Sequence, residues 1–220
     1  MIKAAIFDLD GTIADTLDDI TDGINGMLAD YSLPLLTRSQ ALKNINYGAF
    51  ELVKRSLPEK FRNDAAFIGE ALKVYEKHYS LCYDRKTHAY DGISTALREI
   101  SSAGVKLAIL SNKQDLFVKN IINKLFPQKI FDIVLGQGKF PPKPDPAAPV
   151  FICSQLAASV SETAMIGDSH VDMLTAKAAS LYPIGVTWGY REREALLDSG
   201  AKLLIDSPSE LKKILSLIHI

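Results

Sequence analysis

The chain has 220 residues, with 25 Lys and Arg against 26 Asp and Glu, and 47% of its residues are hydrophobic. This length suits one large domain or two small ones and is enough to bury a sizeable core without disulfides. The formal net charge of −1 argues against a dedicated nucleic-acid binder, which is usually basic. No apolar run approaches the roughly 18 residues of a membrane span, so we expect no membrane partner.

The N-terminal segment and the cysteines both favour a cytoplasmic protein. Residues 1–8 lack the longer apolar stretch and the small-residue cleavage site of a signal peptide. Cys82 and Cys153 form no disulfide framework, which is typical of reduced thiols in the cytoplasm.

Short apolar runs alternate with helical patterns along most of the chain. The runs predict strands buried on both faces, at 3–7, 105–110, 131–135, 163–166, 183–186 and 203–205. Between them, apolar spacings of three and four residues predict helices near 93–100 and 117–125. Strands that alternate with helices predict an α/β core of Rossmann-like type, with a doubly wound parallel sheet.

The interval after the first strand does not alternate in this way. Ile20, Ile24, Met27 and Leu28 form one apolar stripe, a second helical pattern runs over 64–81, and no convincing strand appears. We therefore predict an inserted helical cap domain over 16–83, and an α/β core domain made of 1–15 and 84–220. Two adjacent chain crossings of this kind form a natural hinge.

The tail predicts a closing amphipathic helix. Its apolar positions are Leu211, Ile214, Leu215 and Ile218. This face either packs on the core or joins two copies of the chain, so both a monomer and a homodimer stay open.

The first acidic cluster, Asp8 and Asp10 in the run FDLDGT, comes at the end of the first predicted strand. In a regular strand the two carboxylates point to one face, where their repulsion raises one pKa unless a cation compensates. Mg²⁺ prefers such oxygen ligands. An ionised Asp8 can then act as a nucleophile and Asp10 can transfer a proton, while Thr12 offers a hydroxyl and an amide to an anion. The alternative is a turn with solvated carboxylates.

The second and third clusters carry polar and positive groups. Ser111, Asn112 and Lys113 follow the predicted strand 105–110, and their hydroxyl and amides suit either a phosphate oxygen or a helix N-cap. Lys143 stands among four prolines in PPKPDP, either as a fixed positive charge against a phosphoryl group or as a solvated turn residue.

The fourth cluster contains Asp168 and Asp172, which lie four residues apart at the start of a predicted helix. On one helix face they can hold a metal ion; the alternative is that Asp168 or the neighbouring Ser169 only caps the helix. Because the carboxyl ends of parallel strands share one edge of the sheet, we expect all four clusters to meet there.

In this order, the four clusters resemble the motifs of the haloacid dehalogenase-like superfamily, in its phosphoglycolate phosphatase-like group with a helical cap. The resemblance covers nearly the whole chain, and the cap is the least matched part. It implies a Mg²⁺-dependent phosphatase of a small phosphorylated metabolite, with 2-phosphoglycolate as the first candidate. Asp8 resembles the nucleophile that forms an aspartyl-phosphate, and Asp10 resembles the general acid and base.

The resemblance also implies a ligand set. The Asp8 and Asp168 side chains and the Asp10 carbonyl would hold Mg²⁺, with Asp172 in support through water. The phosphate-binding residues would be Thr12, Ser111, Asn112 and Lys143. In the cap, a substrate-reading loop is expected at Asn46, Tyr47 and Gly48, although an ordinary interhelical loop explains these residues equally well.

Asp10 separates this chain from some relatives. Dehalogenases and phosphonate-cleaving members of the superfamily lack an acid at this position, so phosphate-ester hydrolysis is favoured. A β-phosphoglucomutase-like, nucleotidase or pyrophosphatase activity uses the same machinery and stays open. A receiver-like regulatory domain also carries a phosphorylated aspartate, but it needs neither Asp10 nor a helical insertion.

Overall fold

The structure, a computed structural model, describes residues 2–217. The strands are β1 (Ala4–Phe7), β2 (Ala14–Asp15), β3 (His88–Ala89), β4 (Lys106–Gln114), β5 (Ile133–Gln137), β6 (Thr163–Gly167), β7 (Tyr182–Val186) and β8 (Leu203–Ile205). The helices are α1 (Leu17–Asp30), α2 (Arg38–Leu42), α3 (Ala49–Ser56), α4 (Ala65–Ser80), α5 (Ile93–Ser102), α6 (Asp115–Leu125), α7 (Ala147–Gln155), α8 (His170–Ala178), α9 (Arg193–Asp198) and α10 (Leu211–Leu217).

Six strands form one sheet in the order β5-β4-β1-β6-β7-β8. Every neighbouring pair is parallel. The central strand β1 pairs with β4 on one side and with β6 on the other, so that Ala4 is in register with Lys106 and Thr163. A helix separates each pair of consecutive strands from β4 to β8. The predicted α/β fold is confirmed.

All six predicted strands are present, with shifts at their ends. The largest shift is at β4, which was expected to end at Leu110 and instead runs to Gln114. The pairing of β4 with β5 is interrupted between Leu110 and Gln114, where the register changes. Residues 111–113 therefore lie within an irregular part of this strand and not behind its end.

Alternate strand positions and two helices build one apolar cluster of the core. Ile6, Leu110 and Met165 from the three central strands join Ile152 of α7 and Ala176 of α8, all buried. Burying a large aliphatic side chain contributes about 1.5–3 kcal/mol. This packing holds β4, β1 and β6 side by side, and with them the residues that follow these strands.

The chain divides into two compact units. One comprises the chain up to Ala14 and from Ala89 onward, and the other spans Asp15–His88. The second unit contains α1 to α4, in which α1 packs against α2 and α4, and α3 packs against α4. The predicted apolar stripe of α1, from Ile20 to Leu28, is buried within it.

A buried aspartate of α1 is hydrogen-bonded to the last residues of the second unit. Asp19 is fully buried, and its carboxylate accepts hydrogen bonds from the backbone N–H groups of Lys86 (3.0 Å) and Thr87 (2.8 Å). The Thr87 hydroxyl donates a further bond of 2.8 Å. This carboxylate is thus surrounded by donors from one short segment.

The remaining expectations concern the tail, the thiols and the membrane. Leu211 and Leu215 of α10, two positions of the predicted apolar face, are buried, whereas Ile218 lies outside the described residues. Both cysteines are free and buried, and burial raises the pKa of the Cys82 thiol to about 11. Among residues 2–217, no helix combines the length and the apolar character needed to span a bilayer.

Candidate active site

Three neighbouring strands bring the predicted residues to the carboxyl edge of the sheet. Asp8 directly follows β1, Asp168 directly follows β6, and Ser111 lies in the irregular part of β4. β1 lies between the other two strands, and all three side chains belong to buried residues. Residues that are far apart in sequence thus meet in one place.

Lys143 lies at the centre of this cluster. Its Nζ is 2.9 Å from Asp8 Oδ1 and 2.6 Å from Asp172 Oδ1, and the lysine side chain is only 3% exposed. The side chain of Asn112 holds the Lys143 backbone, because its Oδ1 accepts from the Lys143 N–H (2.7 Å) and its Nδ2 donates to the Lys143 carbonyl (3.1 Å). Lys143 is therefore a buried, fixed cation and not a solvated turn residue.

Asp172 serves both the helix and the cluster. Ser169 is the N-cap of α8, and Asp172 Oδ2 accepts bonds from the Ser169 hydroxyl (2.6 Å) and N–H (3.1 Å). Its other oxygen faces Lys143. Ser169 is thus the helix cap that the sequence offers as an alternative, and Asp172 both completes this cap and belongs to the acidic cluster.

Asp168 is held at both of its oxygens. The Thr12 hydroxyl donates to Oδ1 (3.1 Å) and the Tyr190 backbone N–H donates to Oδ2 (2.8 Å). The Trp188 indole N–H donates to the Thr12 carbonyl at 2.9 Å. The segment after β7 therefore orients an acid that follows β6, a contribution that the sequence pattern did not indicate.

Two glycines make this approach possible. Gly11 has φ +86°, and a Cβ there would collide with the Asp168 carboxyl and the Tyr190 ring. At Gly189 a Cβ would collide with Asp168 and with the Gly11 carbonyl. Because glycine has no side chain, the backbones of both loops can approach Asp168 this closely.

Burial and like charge shift the acids of the cluster in one direction. Desolvation by burial, followed by repulsion from Asp172, raises the pKa of Asp8 well above its ordinary value, although Lys143 opposes the shift. The same two causes raise the pKa of Asp168 to about 7. Burial disfavours the charged form of Lys143, but the carboxylates of Asp172 and Asp8 outweigh it and raise the pKa of Lys143.

These carboxylates fit a divalent cation. Asp8, Asp168 and Asp172 each offer an oxygen, and the three oxygens lie within 4.8 Å of one another. Three buried acids beside one lysine leave an excess of negative charge, which favours a cation. Hard cations such as Mg²⁺ and Ca²⁺ take carboxylate oxygens as ligands, so the donor set fits a metal of this class.

Asp10 has a partner of its own. Its Oδ1 accepts from the ammonium of Lys113, and the two side chains are 16% and 8% exposed. The sequence placed Lys113 in the second cluster without assigning it a role. The structure connects that cluster to the first one through this ion pair.

The predicted phosphate-binding residues differ in what they contact. The Thr12 hydroxyl donates a hydrogen bond to Asp168 Oδ1, and the Asn112 amide donates one to the Lys143 carbonyl. The Ser111 hydroxyl accepts from the Lys113 N–H at 3.2 Å. Two of these residues thus orient other members of the site, which their residue types alone did not reveal.

The predicted substrate loop lies in the second unit, before α3. Asn46 has φ +87° and Gly48, the N-cap of α3, has φ +83°. The ring of Tyr47 lies 3.9 Å below the Arg55 guanidinium, measured to the ring centroid. This cation–π contact gives the loop a fixed aromatic side chain.

Known proteins resemble the chain over nearly its full length. It matches the family model described as haloacid dehalogenase-like hydrolase over residues 5–186. It is 30% identical over 214 residues to the phosphoglycolate phosphatase of Colwellia psychrerythraea, with 95% of each chain covered. It is also 30% identical to phosphoglycolate phosphatase 1 of Pseudomonas aeruginosa, with 95% of this chain and 78% of that one covered.

A solved structure gives the same result. A protein from Lactobacillus delbrueckii subsp. bulgaricus, provisionally named phosphoglycolate phosphatase, superposes with a TM-score of 0.90 at 28% identity, covering 97% of this chain and 98% of that one. The family model, the curated relatives and this superposition agree with one another. The chain belongs to the haloacid dehalogenase-like hydrolase family.

Proposed function

We propose that the chain hydrolyses 2-phosphoglycolate with Mg²⁺, through a phosphoenzyme formed on Asp8. The family and its curated members indicate a phosphatase that acts on phosphoric monoesters. Two relatives that align with nearly all of this chain are named phosphoglycolate phosphatases, which supports the substrate. The single observation that carries the mechanism is the contact of buried Asp8 with Lys143, beside Asp168 and Asp172.

In the first step, Asp8 attacks phosphorus. A bond forms between a carboxylate oxygen of Asp8 and the phosphorus, and the ester P–O bond breaks. Asp10 gives a proton to the leaving oxygen, so that the product departs as an alcohol. In the second step, Asp10 takes a proton from the water that attacks the phosphorus, and Asp8 is released with inorganic phosphate.

Mg²⁺ is the metal that we propose for the acidic cluster. The side chains of Asp8 and Asp168 and the Asp10 carbonyl would hold it, and Asp172 would support it. When bound, it would neutralise negative charge on the phosphoryl group. Thr12 contributes to this metal site indirectly, because its hydroxyl donates a hydrogen bond to Asp168 Oδ1.

Lys143 and Ser111 are the residues that we propose to hold the phosphoryl group. Phosphoryl transfer depends mainly on positioning and charge neutralisation, and a buried ammonium beside the nucleophile provides both. Asn112 contributes by fixing the Lys143 backbone at two points. We therefore propose that Asn112 orients Lys143.

The helical unit is the part to which we assign substrate choice. Asn46, Tyr47 and Gly48 form the proposed reading loop, with the Tyr47 ring fixed by Arg55. The mutase, nucleotidase, pyrophosphatase and receiver-like alternatives are not favoured, because the curated relatives are named phosphoglycolate phosphatases over most of this chain.

The test is phosphate release from a panel of phosphorylated metabolites with Mg²⁺, with Asp8→Asn as the blank. The panel contains 2-phosphoglycolate, sugar phosphates, nucleotides and pyrophosphate. We expect 2-phosphoglycolate to have the highest kcat/KM. A different preferred ester would contradict the substrate but not the chemistry, and no release above the blank would contradict both.

A further inference from the structure

We propose that Lys113 is a positioning residue that holds the side chain of Asp10 for proton transfer. This inference rests on the proposed function, because it concerns the residue to which we assign the acid and base steps. Lys113 itself touches neither the reacting phosphorus nor the nucleophile in this proposal. It acts through the carboxylate of Asp10.

The first support is the ion pair itself. The Lys113 ammonium donates to Asp10 Oδ1, although the two residues are 103 positions apart. Their side chains are 8% and 16% exposed, so water screens this pair much less than a surface pair. The two lysines of the site therefore pair with different acids. Lys143 contacts Asp8 and Asp172, and Lys113 contacts Asp10.

The second support is that both backbones are fixed. Lys113 lies where β4 loses its regular pairing with β5, and its N–H donates to the Ser111 hydroxyl at 3.2 Å. Asp10 forms an isolated bridge with Ala14, and the neighbouring Gly11 N–H donates to the Ala14 carbonyl at 2.9 Å. With both chain segments held, the ion pair restricts where the Asp10 carboxylate can lie.

The third support is the geometric demand of the reaction. A general acid must lie within hydrogen-bond distance of the oxygen to which it gives its proton. A displacement of about 1 Å can cost about 100-fold in rate. A short carboxylate on a loop therefore benefits from a second residue that restricts its orientation.

The test compares two esters that differ in their need for a proton. p-Nitrophenolate leaves without protonation, whereas the alcohol of an alkyl phosphate needs a proton from Asp10. The alkyl ester is 2-phosphoglycolate, or the best alkyl phosphate of the panel above. kcat/KM is the quantity to measure, because it reports the steps up to release of the alcohol or phenol.

Lys113→Met is the main variant, since Met keeps an unbranched chain and removes the charge. We expect it to lower kcat/KM for the alkyl ester about 10- to 100-fold more than for p-nitrophenyl phosphate. Lys113→Arg should recover part of the loss. In an Asp10→Asn background, Lys113→Met should cause no further loss, because it acts through Asp10.

Lys106→Met is the matched control, because Lys106 begins the same strand and pairs with Asp132 at 3.0 Å, away from the site. It should leave the ratio of the two esters unchanged. Equal losses for both esters in Lys113→Met, or a further loss in the Asp10→Asn background, would overturn the positioning role. If the wild-type chain hydrolyses neither ester, the proposed function is overturned and this inference with it.

Discussion

Each compact unit buries an aspartate completely, and the two surroundings are opposite. In the helical unit, Asp19 accepts hydrogen bonds from two backbone N–H groups and one hydroxyl, all from residues 86–87. In the α/β unit, Asp168 lies beside Asp8 and Asp172, and burial and repulsion raise its pKa to about 7. Both residues are fully buried.

The surroundings of a buried carboxylate distinguish a functional group from a structural one. Donors around Asp19 compensate its charge, so this residue stabilises the fold without any further group. The acids around Lys143 outnumber it, and their remaining repulsion can be relieved by a cation. Burial alone therefore does not mark a reactive site. The balance of charges and donors around the buried group does.

Replacing the nucleophile should cost more activity than any other change considered below. Asp8→Asn should lower turnover at least about 1,000-fold, because the amide is a poor nucleophile. The fold should remain, since Asn has the same size and removes a buried charge that neighbouring acids repel. Phosphate release and the thermal midpoint measure the two effects. Substantial residual turnover would contradict the role of Asp8.

Metal removal should be nearly as damaging. Excess EDTA should stop phosphate release, and added Mg²⁺ should restore it. The fluorescence of Trp188, the single tryptophan of the chain, gives a readout without substrate, because Trp188 contacts the Thr12 carbonyl and Thr12 holds Asp168. Asp168→Asn should abolish the Mg²⁺-dependent change in fluorescence. Activity that persists in excess EDTA would contradict the metal assignment.

Replacing the structural aspartate, Asp19, should affect stability and leave activity nearly unchanged. Asp19→Asn should lower the free energy of unfolding by about 1–3 kcal/mol, because it removes the charge that accepts these bonds and turns an amide NH2 group toward the Lys86 N–H. Urea denaturation measures this change, and turnover per folded molecule should stay within about threefold. Asp18→Asn is the control, since Asp18 forms an exposed pair with Arg38 and should cost less than about 1 kcal/mol. Equal costs for both variants would contradict the assignment of Asp19.

The smallest expected effect is a pH dependence of stability. The pKa of Asp168 is raised from 3.8 to about 7 in the folded chain, so from about pH 5.5 to about pH 7 the folded state holds a proton that the unfolded state has already lost. Stability of the metal-free chain should therefore fall as pH rises through this window, by a few degrees in thermal midpoint. Asp168→Asn should make the fall smaller, and the raised pKa of Asp8 contributes to the fall that remains. An increase of stability with pH in the metal-free wild type would oppose this prediction.

The sequence predicted the strands and the acids that follow them, because a buried parallel strand leaves a local apolar pattern. Asp8 and Asp168 were placed at one edge for this reason. Contacts between distant side chains leave no such pattern. The Asn112 bonds to Lys143 and the Asp19 bonds to residues 86–87 depend on how whole elements pack, so they emerged only from the structure.

The most direct test is to trap the phosphoenzyme. The wild-type chain is mixed with Mg²⁺ and 2-phosphoglycolate and quenched in acid during turnover. Borohydride then reduces an acyl phosphate side chain to an alcohol, which mass spectrometry locates in the peptide. Reduction at Asp8, absent in Asp8→Asn, is the predicted result. Reduction at another carboxylate, or none in a chain that is turning over substrate, would contradict nucleophilic attack by Asp8.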